Sequence, residues 1–167
     1  MTAIELANAG DRAAFVTAFG PLFEHSPWVA EAAWERQPFA DRDELHAALC
    51  AAMYEAPRER QLSLIRAHPD LAGRAAVEGT LTPDSRREQS SAGLDRLTPA
   101  EFETFTRTNT AYRERFGFPF VVCVREHDKA SILATAEERL AHDPEDEIRV
   151  ALGEIAKIAR LRLQDMA

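Results

Sequence analysis

The sequence predicts an all-α fold, a single-domain multi-helix bundle over residues 1–167 with one short extended segment near 118–124. Three observations lead there. Apolar residues recur at three- and four-residue spacing through most of the chain, the period of one helix face. Helix-opening signals stand at Thr82-Pro83-Asp84, Thr98-Pro99-Ala100-Glu101 and Asp143-Pro144-Glu145-Asp146. Only Phe118 to Val124, the run FPFVVCV, is short, apolar and β-branched. A lone extended segment cannot build a sheet.

Taken in chain order, Asp43 to Glu55 carries Leu45, Leu49 and Met53 on one face and is closed by Pro57. Arg58 to Ala67 carries Leu62, Leu64 and Ile65, and Pro69 then pushes His68 out of the α region to the helix end. Thr82 caps the next helix, with Pro83 in its first turn and Gly93 near its end. Thr98 and Glu101 form a capping-box pair ahead of the stripe Phe102, Phe105, Asn109, Tyr112, Phe116. Phe118 to Val124 suits a strand or a buried extended segment equally well. The last helix opens at Asp143, with acids in its first turn and Lys157, Arg160 and Arg162 toward its end.

The 167 residues suit one domain with a core of its own. Apolar residues at 46% and charged residues at 29% mark a globular chain rather than a disordered one. No run reaches the roughly 20 apolar residues of a membrane span. The formal net charge of −8 argues against a nucleic-acid partner, which needs a basic surface, but not against a small anion held by a few local arginines. Met1 to Gly10 contains Glu5 and no basic residue, unlike a secretory signal, and Gln164 to Ala167 holds no peroxisomal tripeptide. Cys50 and Cys123 sit among apolar neighbours outside any C-x-x-C pair, as buried reduced thiols do. A cytoplasmic setting is the expectation.

Some residues break the pattern around them. Asn109 lies in the middle of an apolar stripe, where it either has a structural task, capping a loop carbonyl or fixing register, or binds a ligand. Arg162 shares spacing with Ile148, Leu152, Ile155 and Ala159, whereas Arg160 falls with Arg149 and Gly153. An arginine on an apolar stripe must snorkel to water or find a carboxylate, and near a helix C-terminus periodicity favours snorkelling. Ser85, Glu88, Gln89 and Ala92 share one face, either solvated or a hydrogen-bonding wall for a small polar molecule. His68 begins HPDLAG (68–73), a turn able to hold an imidazole rigidly, although a helix-end histidine also suits the helix dipole. The other histidines (His25, His46, His127, His142) show no metal-ligand spacing, and no phosphate loop, dinucleotide fingerprint or nucleophile elbow occurs. Three classes remain: an enzyme acting on a small polar molecule, a non-catalytic binding module, and a metal hydrolase built on His68 and Asp70. Ligand spacing speaks against the third.

HPDLAG at 68–73, GTLTPDSRREQSSAGLDRLT at 79–98, NTAYRERFGFPFVVCV at 109–124 and ALGEIAKIARLRL at 151–163, with SPWVAEAAWERQPF at 26–39, resemble the 2-oxo-4-hydroxy-4-carboxy-5-ureidoimidazoline (OHCU) decarboxylases in order and spacing. The resemblance implies an all-α homodimer that decarboxylates OHCU to (S)-allantoin in urate catabolism, without cofactor or metal. It implies His68, Glu88 and Arg162 as catalytic residues. Substrate contacts are implied at Pro69, at Ser85, Arg86, Arg87, Glu88 and Gln89, and at Phe120, Val121, Val122, Cys123 and Val124. The transthyretin-like hydrolase domain fused to some relatives is absent from this sequence, so the decarboxylation step alone is expected.

Overall fold

Ten α-helices and three short 3-10 turns make up the computed structural model, which describes residues 1–167, and no strand occurs. The all-α class follows directly. No helix is long and apolar enough to cross a membrane. Contacts group the chain into two compact units, Met1–Ala67 with Ile155–Ala167, and His68–Glu154.

In the first unit the helices are α1 (Ala3–Ala7), α2 (Arg12–Phe19), α3 (Trp28–Ala33), α4 (Arg42–Glu55) and α5 (Arg58–Arg66). The last turns of α10 (Pro144–Gln164) complete it. Asp41 caps α4 by accepting from the Glu44 N–H, so that helix starts one residue before the sequence predicts. Its predicted face, Leu45, Leu49 and Met53, is fully buried, and α3 packs on α4. Gln61, also buried, donates to the carbonyls of Met53 (3.2 Å) and Tyr54 (3.0 Å) and so satisfies the end of α4.

The second unit holds α6 (Arg74–Glu78), α7 (Pro83–Ser91), α8 (Pro99–Phe116), α9 (Lys129–Arg139) and the first part of α10. Thr82 caps α7 and Thr98 with Glu101 forms the capping box of α8, as their spacing predicts. Beyond α7, Gly93 takes φ +77, its N–H bonding the Ser90 carbonyl while the Leu94 N–H bonds that of Gln89. This 5→2 and 6→1 pattern requires a left-handed residue, hence the glycine. The stripe of α8 is buried at Phe105, Asn109 and Tyr112, but Phe102 is 42% exposed and Phe116 half-buried, so the apolar face frays at both ends. Residues 119–123 form neither strand nor helix: they are a buried extended segment, and Val124–Glu126 then closes a 3-10 turn. Of the two conformations the composition left open, the extended segment is the one adopted, because no neighbouring strand exists to pair with it.

Candidate active site

Three segments of the second unit come together. The first is the turn that follows His68. His68 is 7% exposed, and the turn behind it is held by side chains from two helices. Gln89 of α7 accepts the Ala72 N–H (3.0 Å) and reaches the Asp70 carbonyl (3.4 Å). Asn109 of α8 donates to the Leu71 carbonyl (2.9 Å). Arg113 donates to both oxygens of the Asp70 carboxylate (3.0 and 3.2 Å). Ala72 sits at φ +52, a conformation that costs an alanine about 1–3 kcal/mol and persists only where its surroundings impose it. Gly73 has no room for a side chain, since a Cβ there would lie 2.6 Å from Asp70 Cβ. Of the two roles open to Asn109, it takes the loop-capping one. The Asp70 carboxylate, which the disfavoured metal-hydrolase reading would use as a ligand, is engaged by Arg113.

The second segment is α7. Ser85 and Gln89 are buried and Glu88 is half-buried, so the S-x-x-E-Q face is not simply a solvated one. Arg86 and Arg87 lie on the exposed side of the helix, where Arg86 donates to the Gly79 carbonyl (2.9 Å) and Arg87 pairs with Asp84. The third segment is Phe118 to Val124, buried along its length. The 3-10 turn that follows it packs against α7. Burial pushes the Cys123 thiol up to about 11, and the carboxylates of Glu126, Glu154 and Glu88 push in the same direction. Glu88 is therefore close enough for its charge to be felt at the extended segment. Pro69, half-buried, begins the held turn.

Arg162 belongs to the first unit. It is 4% exposed and does not snorkel. Its Nη2 donates to Glu24 Oε1 (3.0 Å) and its Nη1 to the Pro21 carbonyl (3.1 Å). Snorkelling fails because a carboxylate lies within the core: Glu24 is 2% exposed. His25 beside it takes φ +44, and Ser26 Oγ folds back onto the Glu24 carbonyl (2.8 Å), fixing the Glu24 backbone. Arg160, by contrast, is exposed and pairs with the exposed Asp43. The distinction that helical spacing drew between these two arginines therefore holds.

Sequence reasoning missed Glu24, Arg139, Glu147 and Glu154, all of them buried acids or bases. Arg139 bonds Glu147 through Nε (2.6 Å) and the Val121 carbonyl through Nη1 (2.6 Å). Glu147 also accepts from the Tyr112 hydroxyl and lies 3.0 Å from His142 Nδ1. The available signal for α9 was Asp128 three residues before Ser131, which closes a reciprocal cap.

A buried histidine on a side-chain-locked turn, a face of hydroxyl, carboxylate and amide, and a buried wall of irregular backbone define an all-α protein built to hold a small polar molecule. The OHCU decarboxylase family model matches residues 8–164, and the chain belongs to that family. It is 47% identical over 162 residues to a 2-oxo-4-hydroxy-4-carboxy-5-ureidoimidazoline decarboxylase of Haloferax volcanii, covering 97% of this chain and 94% of the relative. A protein of the same name from Mus musculus is 43% identical over 159 residues, covering 95% and 89%. Among solved structures, an (S)-allantoin synthase superposes with a TM-score of 0.77 at 32% identity, over 98% of this chain and 53% of that one.

Proposed function

We propose that this protein decarboxylates 2-oxo-4-hydroxy-4-carboxy-5-ureidoimidazoline to (S)-allantoin, with His68 as the proton-handling residue. The observation that carries the reading is the assembly of the His68 turn, the Glu88 face and the buried 118–124 segment within one unit, in a chain of this family.

The chemistry asks little else. In this substrate the carbon bearing the carboxylate also bears a hydroxyl, and its ring neighbour is the carbon of a C=N bond. When the C–C bond to the carboxylate breaks, its electron pair forms a C=C bond between the two ring carbons and the C=N pair moves onto nitrogen, which takes a proton. The substrate is its own electron sink, so no cofactor is needed. The enol so formed loses its hydroxyl proton to become a carbonyl, and the neighbouring carbon gains a proton on one face. Imidazoles titrate near ~6.5 when unperturbed and so exchange protons readily at neutral pH. His68 delivers that proton. Glu88 orients the imidazole or accepts from the ureido N–H groups, and Ser85 completes its face. Arg162 is assigned to the substrate carboxylate, its guanidinium oriented by the bonds to Glu24 and to the Pro21 carbonyl. The wall from Phe120 to Val124 offers peptide groups to the amide-like edges of the ring. Val121 C=O and Cys123 N–H are already bonded within the protein, which leaves the Val122 peptide uncommitted. The buried Gln89 contributes by holding the His68 turn.

A homodimer in a cytoplasmic, reducing compartment completes the reading, in keeping with two unpaired cysteines. Light scattering on purified protein tests the dimer. The activity is tested by generating the substrate in place from urate with urate oxidase and hydroxyisourate hydrolase, and following optically active allantoin by circular dichroism. Rapid appearance of the signal only when this protein is present is the expected result. A signal that grows at the same rate without it overturns the assignment.

A further inference from the structure

Residues 118–123 pose a backbone problem. The segment is buried from end to end yet belongs to no helix or sheet. Buried peptide groups must find partners, and the ordinary sources are missing here. The Cys123 carbonyl takes the Glu126 N–H (3.0 Å), and two charged side chains each meet one further group. Arg139, at the end of α9, donates Nη1 to the Val121 carbonyl (2.6 Å). Glu154, in α10, accepts the Cys123 N–H at 3.3 Å. These two side-chain bonds fall on either side of one residue, Val122.

Arg139 is itself gripped. Its guanidinium lies over the Phe120 ring, 4.6 Å from the centroid, and its Nε bonds Glu147 at 2.6 Å. Glu147 is fully buried and takes the Tyr112 hydroxyl as well. Tyr112 packs edge-on against Phe118 and Phe120, 5.8 and 5.4 Å between centroids. A buried ion pair of this kind carries a large desolvation cost for each charge, and an apolar cluster of the same volume would fill the space as stably. The difference between the two is orientation: a guanidinium fixed by Glu147 points one N–H at one carbonyl, and leucine or methionine cannot.

We propose that Arg139 and Glu154 are positioning residues that set the orientation of the Val122 peptide and thereby the affinity for substrate, leaving the proton transfer untouched. The inference rests on the reading that the 120–124 wall receives the substrate. It assigns specificity to residues that need not touch the substrate: the ion pair of Arg139 with Glu147 aligns one end of the wall, and the Glu154 carboxylate aligns the other.

The test uses Glu154→Leu, which removes the acceptor, and Glu154→Gln, which keeps an oxygen for the Cys123 N–H. Steady-state kinetics of both are measured beside amide hydrogen exchange at Cys123 and thermal melts. Losing a directed hydrogen bond predicts a KM raised roughly tenfold in Glu154→Leu with little change in kcat, near-normal KM in Glu154→Gln, and faster exchange at Cys123 in the leucine variant only. Arg139→Lys, which keeps charge but loses the rigid guanidinium that aims Nε at Glu147 and Nη1 at the Val121 carbonyl, raises KM in the same way and serves if Glu154→Leu does not fold. Faster exchange with an unchanged KM would overturn the substrate-wall reading, and this inference with it. Unchanged exchange and unchanged KM would overturn the positioning role alone. Equal losses in the glutamine and leucine variants would make the charge of Glu154 the active feature and overturn its role as a backbone acceptor.

Discussion

Removing the positive charge at Arg162 leaves a carboxylate in the core. Glu24 is 2% exposed and Arg162 4%, and their 3.0 Å contact is supplemented by the bond from Arg162 to the Pro21 carbonyl. Solvent cannot screen a pair so deep, so Arg162→Met should cost about 3–5 kcal/mol, the usual penalty for orphaning one member of a buried pair. For a chain of this length each kcal/mol lowers the melting temperature by roughly 2–4 °C, which gives a drop of about 6–20 °C. Glu24→Leu should fall in the same range. The double variant, in which neither charge is stranded, should be more stable than the sum of the singles predicts by roughly 1–3 kcal/mol. Differential scanning calorimetry on the four proteins completes the cycle. Strict additivity, or melting shifts under about 2 °C for both singles, would refute a dry, mutually dependent pair. Kinetics add a second readout: Arg162→Lys keeps charge without the guanidinium fork and should lose most activity, whereas Arg160→Lys, at an exposed position, should be nearly silent.

His68→Asn should abolish turnover with a melting temperature within a few degrees of wild type, roughly the scatter of a modest packing change; full activity in the folded variant would remove His68 from the mechanism. Glu88→Gln should depress kcat strongly, while Glu78→Gln, whose side chain pairs on the surface with Arg74, should not, and equal behaviour would reduce the α7 face to scenery. Both thiols should resist Ellman's reagent at pH 8 in the folded protein, because burial raises Cys50 and Cys123 to about 11 from an ordinary 9.0. Since the folded state holds these protons more tightly, the stability they contribute is intact below pH 9 and is lost as pH rises toward 11; rapid labelling at pH 8, or a melting temperature flat from pH 9 to 11, would contradict it.

Much of this was legible in local sequence. Caps at Thr82 and Thr98 and the buried stripe Ile148, Leu152, Ile155, Ala159 and Arg162 are all short-range signals, and short-range signals survive without tertiary information. The buried charges were not legible, for a common reason. Glu147 reads in sequence as an acid in the first turn of a helix, there to complement the dipole, and Arg139 as a base in a last turn. Each is an adequate explanation of its residue type, so nothing in the string announces that the two meet in the core. Glu24 lies 138 positions from Arg162 in a loop, where acids are normally solvated. Periodicity could report that Arg162 faces inward but not what awaits it there.

The held turn after His68 has a thermodynamic consequence. Ordering a flexible loop around a ligand costs about 1–2 kcal/mol of backbone entropy per residue. Between Asp70 and Ala72 that cost is already met on folding, by Gln89, Asn109 and Arg113. In the proposed function, where the substrate docks at His68, it meets a backbone already in place, so binding should carry little entropic penalty from this region and little heat-capacity change beyond that of the apolar surface covered.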